Sequence, residues 1–581
     1  MTATTERVPP LLTTERGRSP RRLLPTAASH YALWALTLLV VVGPVVPVLV
    51  AAFWSTPLYE TGGHITLDNF ARLFADSAWW GAVGNSVMFA ALTTAGSVTA
   101  GTALAVLLTR TDLPGRRLIG GVVLLPVILP GLVLILGWAT MWAPFGFTNA
   151  WLRTNLGFGI PFDVYSLTGM IVVAISVIAP IVFLFVRGTL AGLDTSLEDA
   201  ARTAGARPLR ALISITVPML RPALLNSAML VFVLALEVLG LPLILGSSSN
   251  VVLISSYLYD NWVQKVPSDQ GLVSAGAVSL LIVVSVLLYA RNRVAGQAAR
   301  FTTTTGKPKA PDVVTLGPTR WLLSVVIGLA LIVGVIIPLA GVLLAAFTAV
   351  LSPFINPFTQ LTTANFDIIF SSSLYVDSIW NSLLIATVGG LLATVAVAVL
   401  SVVAHRSQFR HRASLQQAML WPRTMPGLVT GMAFFWSFAI LNPDGTLRDS
   451  LWAIGIAFAV RHLALAYSAF YPALVSVGED LDRAAVTSGA SWWTAMRTVV
   501  LPLVRPATGV AFILLFVAML NESDPAVFLV TPDNPVMGLT MLQLSVTGTG
   551  GPVAAFGVIQ MLITIIVLGA GKLLFGARPH A

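Results

Sequence analysis

The chain has 581 residues, of which 56% are hydrophobic and only 10% are charged, with 33 Lys and Arg against 24 Asp and Glu. Because an average soluble domain carries about 25% charged residues, this composition excludes a soluble globular protein and indicates an integral membrane protein. The chain contains no cysteine, which also excludes disulfides and thiolate metal sites.

Apolar runs of about twenty residues, the length of a helix that crosses a bilayer, recur throughout the chain. In order they cover 31–53, 80–109, 118–141, 166–187, 218–245, 271–290, 320–347, 379–404, 415–441, 451–472, 503–530 and 553–575. The first run lacks the small-residue cleavage site of a signal peptide, so we expect a retained first helix. The sequence therefore predicts an all-α integral membrane protein with about twelve transmembrane helices.

Basic residues lie almost entirely in alternate loops. Of the 33 Lys and Arg residues, 27 fall on the side that also carries the two termini. Since cytoplasmic loops are enriched in Lys and Arg, both termini are predicted to be cytoplasmic. This placement accounts for the net charge of +9 without a nucleic-acid partner.

The chain contains an internal repeat. Residues 197–223 and 481–507 are identical at 11 of 27 positions, at an offset of 284. Asn-Phe at 69 and Asn-Ser at 85 recur at 365 and 381, an offset of 296. The offset decreases by 12 between the two sets, which we assign to the loop 142–163 in the first copy and 442–450 in the second.

We therefore predict two parallel six-helix repeats, related by a pseudo-two-fold axis along the membrane normal. The predicted boundaries are 1–30 for an N-terminal tail, 31–290 for the first repeat, 291–319 for a Pro- and Thr-rich cytoplasmic linker, 320–575 for the second repeat and 576–581 for a C-terminal tail. The third span of each half contains the motif Pro-x-x-x-Pro-Gly, which begins at Pro126 in the first half and at Pro422 in the second. This motif predicts a helix break that either lines a pathway or is a structural kink.

Each copy of the long repeat has an acidic residue, then an Ala-Ala pair, then Gly and a later Pro. The matching positions are Glu198, Ala200, Ala201, Gly205 and Pro218 in the first copy, and Asp482, Ala484, Ala485, Gly489 and Pro502 in the second. This pattern resembles the EAA loop of ABC-importer permeases, and the resemblance extends over nearly the whole chain. It implies a fused, duplicated permease with the type I ABC importer transmembrane fold, most similar to the permeases for ferric iron, thiamine and polyamines.

In that family the EAA loop is a coupling helix that docks on an ATPase subunit. The resemblance thus implies two ABC ATPase subunits as partners, an extracytoplasmic solute-binding protein, and a location among the lipids of the bacterial cytoplasmic membrane. The chain has no G-x-x-x-x-G-K-[ST] loop, so ATP and Mg are expected on the partner subunits and no cofactor on this chain. It also lacks H-E-x-x-H and G-x-S-x-G, and we predict no catalytic or metal site.

Several polar residues fall inside apolar runs, where ionisable groups are costly and face the bundle interior or a cavity. They are Glu237, Arg423, Arg461, His462, Asn521, Glu522 and Asp524. Two interpretations stay open, the lining of a solute pathway and internal ion pairs that hold the bundle together. The alternative function is a proton-coupled secondary transporter that uses Glu237, Glu522 or Asp524, although this does not explain the duplicated loop.

Overall fold

A computed structural model describes residues 28–160, 162–193, 196–298, 313–547 and 550–575. Within these ranges the regular structure is helical, and the only β-type pairing is isolated bridges. Nine of the described helices are long and apolar enough to cross a membrane, and three bent helix pairs bring the number of candidate spans to twelve. The predicted N-terminal tail up to residue 27, the linker residues 299–312 and the C-terminal tail lie outside the described residues.

The first half contains six spans, which we number in chain order. They are Ala28–Val41 with Val45–Ala52, Ser77–Arg110, Arg116–Ile128 with Gly131–Trp142, Leu167–Gly192, Leu212–Met219 with Arg221–Glu237, and Gln270–Ala298. Shorter helices, at Asp68–Ala75, Phe147–Leu156, Ser196–Thr203, Pro208–Ala211 and Ile254–Tyr259, connect them.

The second half repeats this order. Spans seven to twelve are Thr319–Ala346, Ser373–Arg406, Arg412–Thr424 with Gly427–Leu441, Leu451–Ser476, Trp492–Leu503 with Arg505–Leu520, and Gly550–Phe575. The connecting helices are Ala364–Ser371, Glu479–Thr487, Ala526–Leu529 and Met537–Thr547. The helix Phe147–Leu156 has no helical counterpart in the shorter loop 442–450, all of which the structure describes.

Both Pro-x-x-x-Pro-Gly motifs interrupt their helices, as predicted. In span three the helix ends at Ile128 and resumes at Gly131, and in span nine the two parts meet at 113°. Proline has no N–H to donate and keeps the preceding residue extended, so the helix cannot continue through the motif.

The fifth and eleventh spans differ from the apolar runs that predicted them. They bend by 55° and 74° ahead of an Arg-Pro pair, and their helices end at Glu237 and Leu520, although the apolar runs continue to 245 and 530. Beyond these ends the first run continues through two irregular residues into the π-helical turn Pro242–Gly246, and the second continues through turns into the short helix Ala526–Leu529. Most of these residues are buried. Burial inside the protein therefore extends these runs beyond the helices.

The repeated Asn residues cap helix ends. The Asn365 amide donates to the carbonyls of Ala345, Ala346 and Thr348 at the end of span seven, and Asn69 donates to Ala52 and Trp54 at the end of span one. The repeated Asn-Ser pairs hold the loops that follow spans five and eleven: Ser86 accepts from the Ile254 amide, and Ser382 from the Met537 amide. These contacts satisfy backbone groups that would otherwise be buried unpaired.

The two halves are interlocked, because the first span of each half packs on the other half. Trp34 in span one donates its indole N–H to Ser414, 2.7 Å away, at the start of span nine. Arg320 in span seven pairs with Asp112 at 2.9 Å, ahead of span three. Most buried residues of both halves accordingly form one continuous apolar core.

Candidate functional site: the EAA loops and a buried charge cluster

The two EAA loops form short helices at the same end of the bundle, which we call the EAA end. The helices are Ser196–Thr203 and Glu479–Thr487, and each is followed by glycine in the left-handed region, with φ of 90° at Gly205 and 94° at Gly489. Any L side chain is strained at that φ. A Cβ on either glycine would meet no atom within 4 Å. Ala200 and Ala484 are exposed, so each helix presents small side chains on an open surface.

An ion pair fixes the second EAA helix to the end of span eight. An Asp482 carboxylate oxygen lies 3.1 Å from a guanidinium nitrogen of Arg406, whose side chain is 4% exposed. Arg406 also donates to the carbonyls of Leu474, at 2.6 Å, and Val477, at the end of span ten. The Arg406 carbonyl accepts from the Trp492 indole at 3.1 Å. One arginine thus connects spans eight and ten to the EAA helix and to span eleven.

The first half contains the same arrangement with looser geometry. Arg110, at the end of span two, lies 3.6 Å from a carboxylate oxygen of Glu198, whose other oxygen accepts from Thr216. Arg110 is nearly fully buried, and its guanidinium makes this one long contact among the described residues and no hydrogen bond. The first EAA helix is therefore held less firmly than the second.

The sequence analysis did not identify Arg110 or Arg406 as functional residues. It counted them only among the basic residues that predict which loops are cytoplasmic. The signal was present, since Arg110 and Arg406 are separated by 296, the offset of the other repeated motifs in this part of the chain.

The polar residues predicted inside the spans meet where the two halves touch. Arg461, in span ten, donates to Glu237 of span five at 3.0 Å and to the carbonyl of Met425 in the span nine break. Both side chains are largely buried. This ion pair connects residues 224 positions apart and bridges the halves. Because each charge is compensated by the other, the pair is tolerable at this depth.

Glu522 and Asp524 lie beside this ion pair, in the irregular segment after span eleven. The Glu522 carboxylate is 2.8 Å from the His462 ring, and its other oxygen accepts from the Asp524 amide at 3.2 Å. Gly427 begins the second part of span nine so close to this segment that a Cβ would stand 2.6 Å from the Asp524 Cβ. Glycine is therefore needed where the helix break meets the charge cluster.

Two predicted residues lie outside this cluster. The Asn521 side chain accepts from Gln560 of span twelve at 2.9 Å and so joins two helices. Arg423 is exposed on the short turn Trp421–Thr424, within the span nine break. We define the charge cluster as Glu237, Arg461, His462, Glu522 and Asp524.

The charge cluster contains three carboxyl groups and one guanidinium group, with the imidazole of His462 beside Glu522. The structure pairs Glu237 with Arg461 across the halves and Glu522 with His462 within the second half. That these residues line a solute pathway stays a prediction. Within the described part of the chain, no group of three or more His, Asp or Glu is placed to hold a metal ion.

Comparison with known proteins agrees with the duplication. The family model described as binding-protein-dependent transport system inner membrane component matches residues 97–299 and again 409–575. The chain is 26% identical over 419 residues to a putative ferric transport system permease of Haemophilus influenzae, and 26% over 457 residues to a ferric transport system permease of Actinobacillus pleuropneumoniae. These alignments cover 71% and 77% of this chain but 64% of each relative.

A third relative matches over nearly the whole of both chains. The probable ABC transporter permease y4fN of Sinorhizobium fredii is 24% identical over 564 residues, which cover 94% of this chain and 96% of that protein. One match to the family model falls in each half, the first beginning within span two and the second directly ahead of span nine. The chain therefore belongs to the binding-protein-dependent transport system inner membrane components, as a multi-pass permease of the ABC importer type in which two copies of the family's domain are fused.

Proposed function

We propose that this chain forms the complete membrane passage of an ATP-driven importer for a small solute, and that two ATPase subunits drive it through the EAA helices. The observation that carries the proposal is the pair of EAA helices, each tied by an acid–arginine contact to the end of the second span of its own half. Both termini and the EAA end then face the cytoplasm, as the basic residues predict.

The anchors explain how movement of a partner would reach the passage. Arg406 binds the EAA helix and the ends of spans eight and ten at once, so a displacement of that helix moves both spans. Span ten also carries Arg461, which pairs with Glu237 of the other half. A rigid shift of one half against the other would therefore change the distance between Arg461 and Glu237. Such a shift of two halves is the movement that produces alternating access.

The class of solute is proposed from the names of the relatives. Two of them are named as ferric transport permeases, and ferric iron is therefore the first solute to test. An extracytoplasmic binding protein would deliver the solute, and ATP and Mg would bind to the partner ATPases.

The test is purification of the chain from its native membrane. We expect two ATPase subunits per chain, and we expect their loss when Gly205→Leu and Gly489→Leu are combined. Leucine at these positions is strained by roughly 1–2 kcal/mol each and projects into open space, so the surface changes while the bundle stays folded. The matched control is Gly62→Leu, because Gly62 has φ of 91°, open space around its Cβ position and a place outside the EAA loops.

Two results would contradict the proposal. One is retention of the ATPases by the double variant at the level of the Gly62→Leu control. The other is uptake by liposomes containing the purified chain alone under a pH gradient, which would favour the proton-coupled alternative.

A further inference from the structure

A single tryptophan of the first half inserts into an aromatic pocket of the second half. Trp262 lies in the turn Asp260–Gln264, directly after the short helix Ile254–Tyr259. Its ring centroid is 5.1 Å from that of Phe435 and 5.0 Å from that of Phe528, at interplanar angles of 88° and 75°. Edge-to-face packing at these distances is favourable for aromatic rings.

The aromatic contact lies between the charge cluster and the end of the bundle opposite the EAA loops. Phe435 is eight residues beyond Gly427 in the same helix, which places it about 12 Å further along the axis at 1.5 Å per residue. Gly427 itself touches the charge cluster at Asp524. A solute that reached the charge cluster from the opposite end along this part of span nine would have to pass the Trp262 contact.

The short helix that directly precedes the Trp262 segment is fastened to the first half. The Ile254 amide donates to Ser86 of span two at 2.8 Å, and the Tyr257 hydroxyl donates to Asp76 at 2.6 Å. Phe435 and Phe528 belong to the second half. When the halves separate, Trp262 must therefore withdraw from these rings, whereas the contacts of the short helix to span two can remain.

The opposite face of the segment 254–264 borders a cavity. This cavity has a volume of about 300 Å³, and Ser256, Asp260 and Gln264 are among its lining residues. Positions 256, 260 and 264 recur at helical spacing, and Trp262 lies on the other face. The segment 254–264 thus lies between the aromatic contact and this cavity, whose lining is both polar and apolar.

The feature occurs once. The position of the first half that matches Phe435 is Ala139, and Ile244 matches Phe528. The contacts of Ser86 and Ser382 align Ile254 with Met537, so the residue matching Trp262 is Ser545. Because only one half has this tryptophan, it is not part of the structure that the two halves share. It lies between the halves, where a transport protein of two halves has one passage rather than two.

We propose that Trp262 is the outer seal of the transport passage, closing it between Phe435 and Phe528 and opening it when the halves separate. This proposal rests on the proposed function for the existence of the passage, but its test needs no ATPase. An impermeant thiol reagent added only outside the cell measures whether the charge cluster can be reached from that side.

The chain has no cysteine, so one cysteine can be introduced without background. Ser523→Cys places a thiol of nearly the same size in the charge-cluster segment, where Ser523 is buried next to Asp524. Phe145→Cys, at a side chain that is 94% exposed beyond span three, reports labelling that does not depend on the seal. Both are measured in the full-length chain in right-side-out membrane vesicles without ATP.

With Trp262 present, we expect the thiol at position 523 to be protected from outside. Trp262→Ala should raise its labelling rate by about tenfold or more, because the ring that fills the contact is lost. Trp262→Phe keeps an edge-to-face ring and should remain protected. Phe528→Ala removes the partner ring instead and should also raise the labelling rate at position 523. This second variant tests the seal if the Trp262→Ala chain does not fold.

Unchanged protection in both Trp262→Ala and Phe528→Ala would overturn the proposal, as would an equal rise in Trp262→Phe. Labelling of the thiol at position 145 must stay constant throughout. The labelling rates at position 523 could change as expected while no ATPase accompanies the purified chain. In that case the role of Trp262 as the seal is supported, and the proposed coupling to ATPase subunits is wrong.

Discussion

The acid–arginine anchor of the second EAA helix predicts a large local effect of one substitution. Arg406→Ala removes the contact to Asp482 and leaves the carbonyls of Leu474 and Val477 without their donor. Breaking a buried ion pair costs about 3–5 kcal/mol, and because Asp482 keeps 13% of its side-chain exposure, water recovers part of this. We expect a loss of about 2–3 kcal/mol in the free energy of local opening.

The assay is hydrogen exchange at the backbone amides of Glu479–Thr487 in the purified chain. A loss of about 2–3 kcal/mol corresponds to exchange that is roughly 30- to 150-fold faster. Span four is a suitable internal reference, because it lies in the other half and its exchange should not change.

Arg483 in the same helix provides a matched control. It pairs with Glu479 at 2.8 Å, but the two side chains are 70% and 64% exposed, so the pair is screened by solvent. Such exposed pairs contribute about 0.3–0.5 kcal/mol, and Arg483→Ala should accelerate exchange only about twofold. Equal acceleration by the two substitutions would refute the anchoring role of Arg406.

Two further substitutions test the other polar contacts. Glu237→Gln removes the carboxylate that Arg461 contacts across the halves, while Glu522 and Asp524 remain beside its guanidinium, so the thermal midpoint of the purified chain should fall by the equivalent of at most roughly 3 kcal/mol. The pKa of Asp112 lies below its usual value because the Leu316 amide, and then Arg320, donate to its carboxylate. This contact is therefore fully present above the unfolded pKa of about 3.8 and is lost as the pH falls through the lower folded pKa. Pepsin cleavage near Leu316 should begin only below that unfolded value, and Asp112→Asn should remove this dependence on pH.

Much of the architecture could be predicted because the bilayer fixes the length of each apolar run. The helix breaks at Pro130 and Pro426 followed from the absence of a proline N–H. The repeated loop placed glycine at 205 and 489, and the structure gives both residues the positive φ that glycine adopts most readily. These features depend on local chemistry, which a sequence displays directly.

The contacts within the candidate site could not be predicted in the same way. Glu237 and Arg461 are 224 residues apart, and nothing in either run indicates that the two will meet across the halves. The ends of spans five and eleven were also placed too late, because hydropathy does not distinguish a spanning helix from the turns and short helical segments that other helices bury. For Arg110 and Arg406, the sequence showed that the two arginines occupy matching positions of the repeat, at an offset of 296. It did not show which acidic residues they contact.

The distribution of duplicated and single features follows from where each lies. An anchor at the EAA end is needed at both loops, and the acid–arginine contact accordingly occurs in both halves. Between the halves, by contrast, two copies of a bulky or charged side chain would compete for the same space or repel each other. Val177 matches Arg461 and lies 4.0 Å from the Cβ position of Gly131, so the first half presents an apolar side chain where the second presents a cation. Fusion of the halves into one chain lets each diverge at these positions, which an identical pair of subunits could not do.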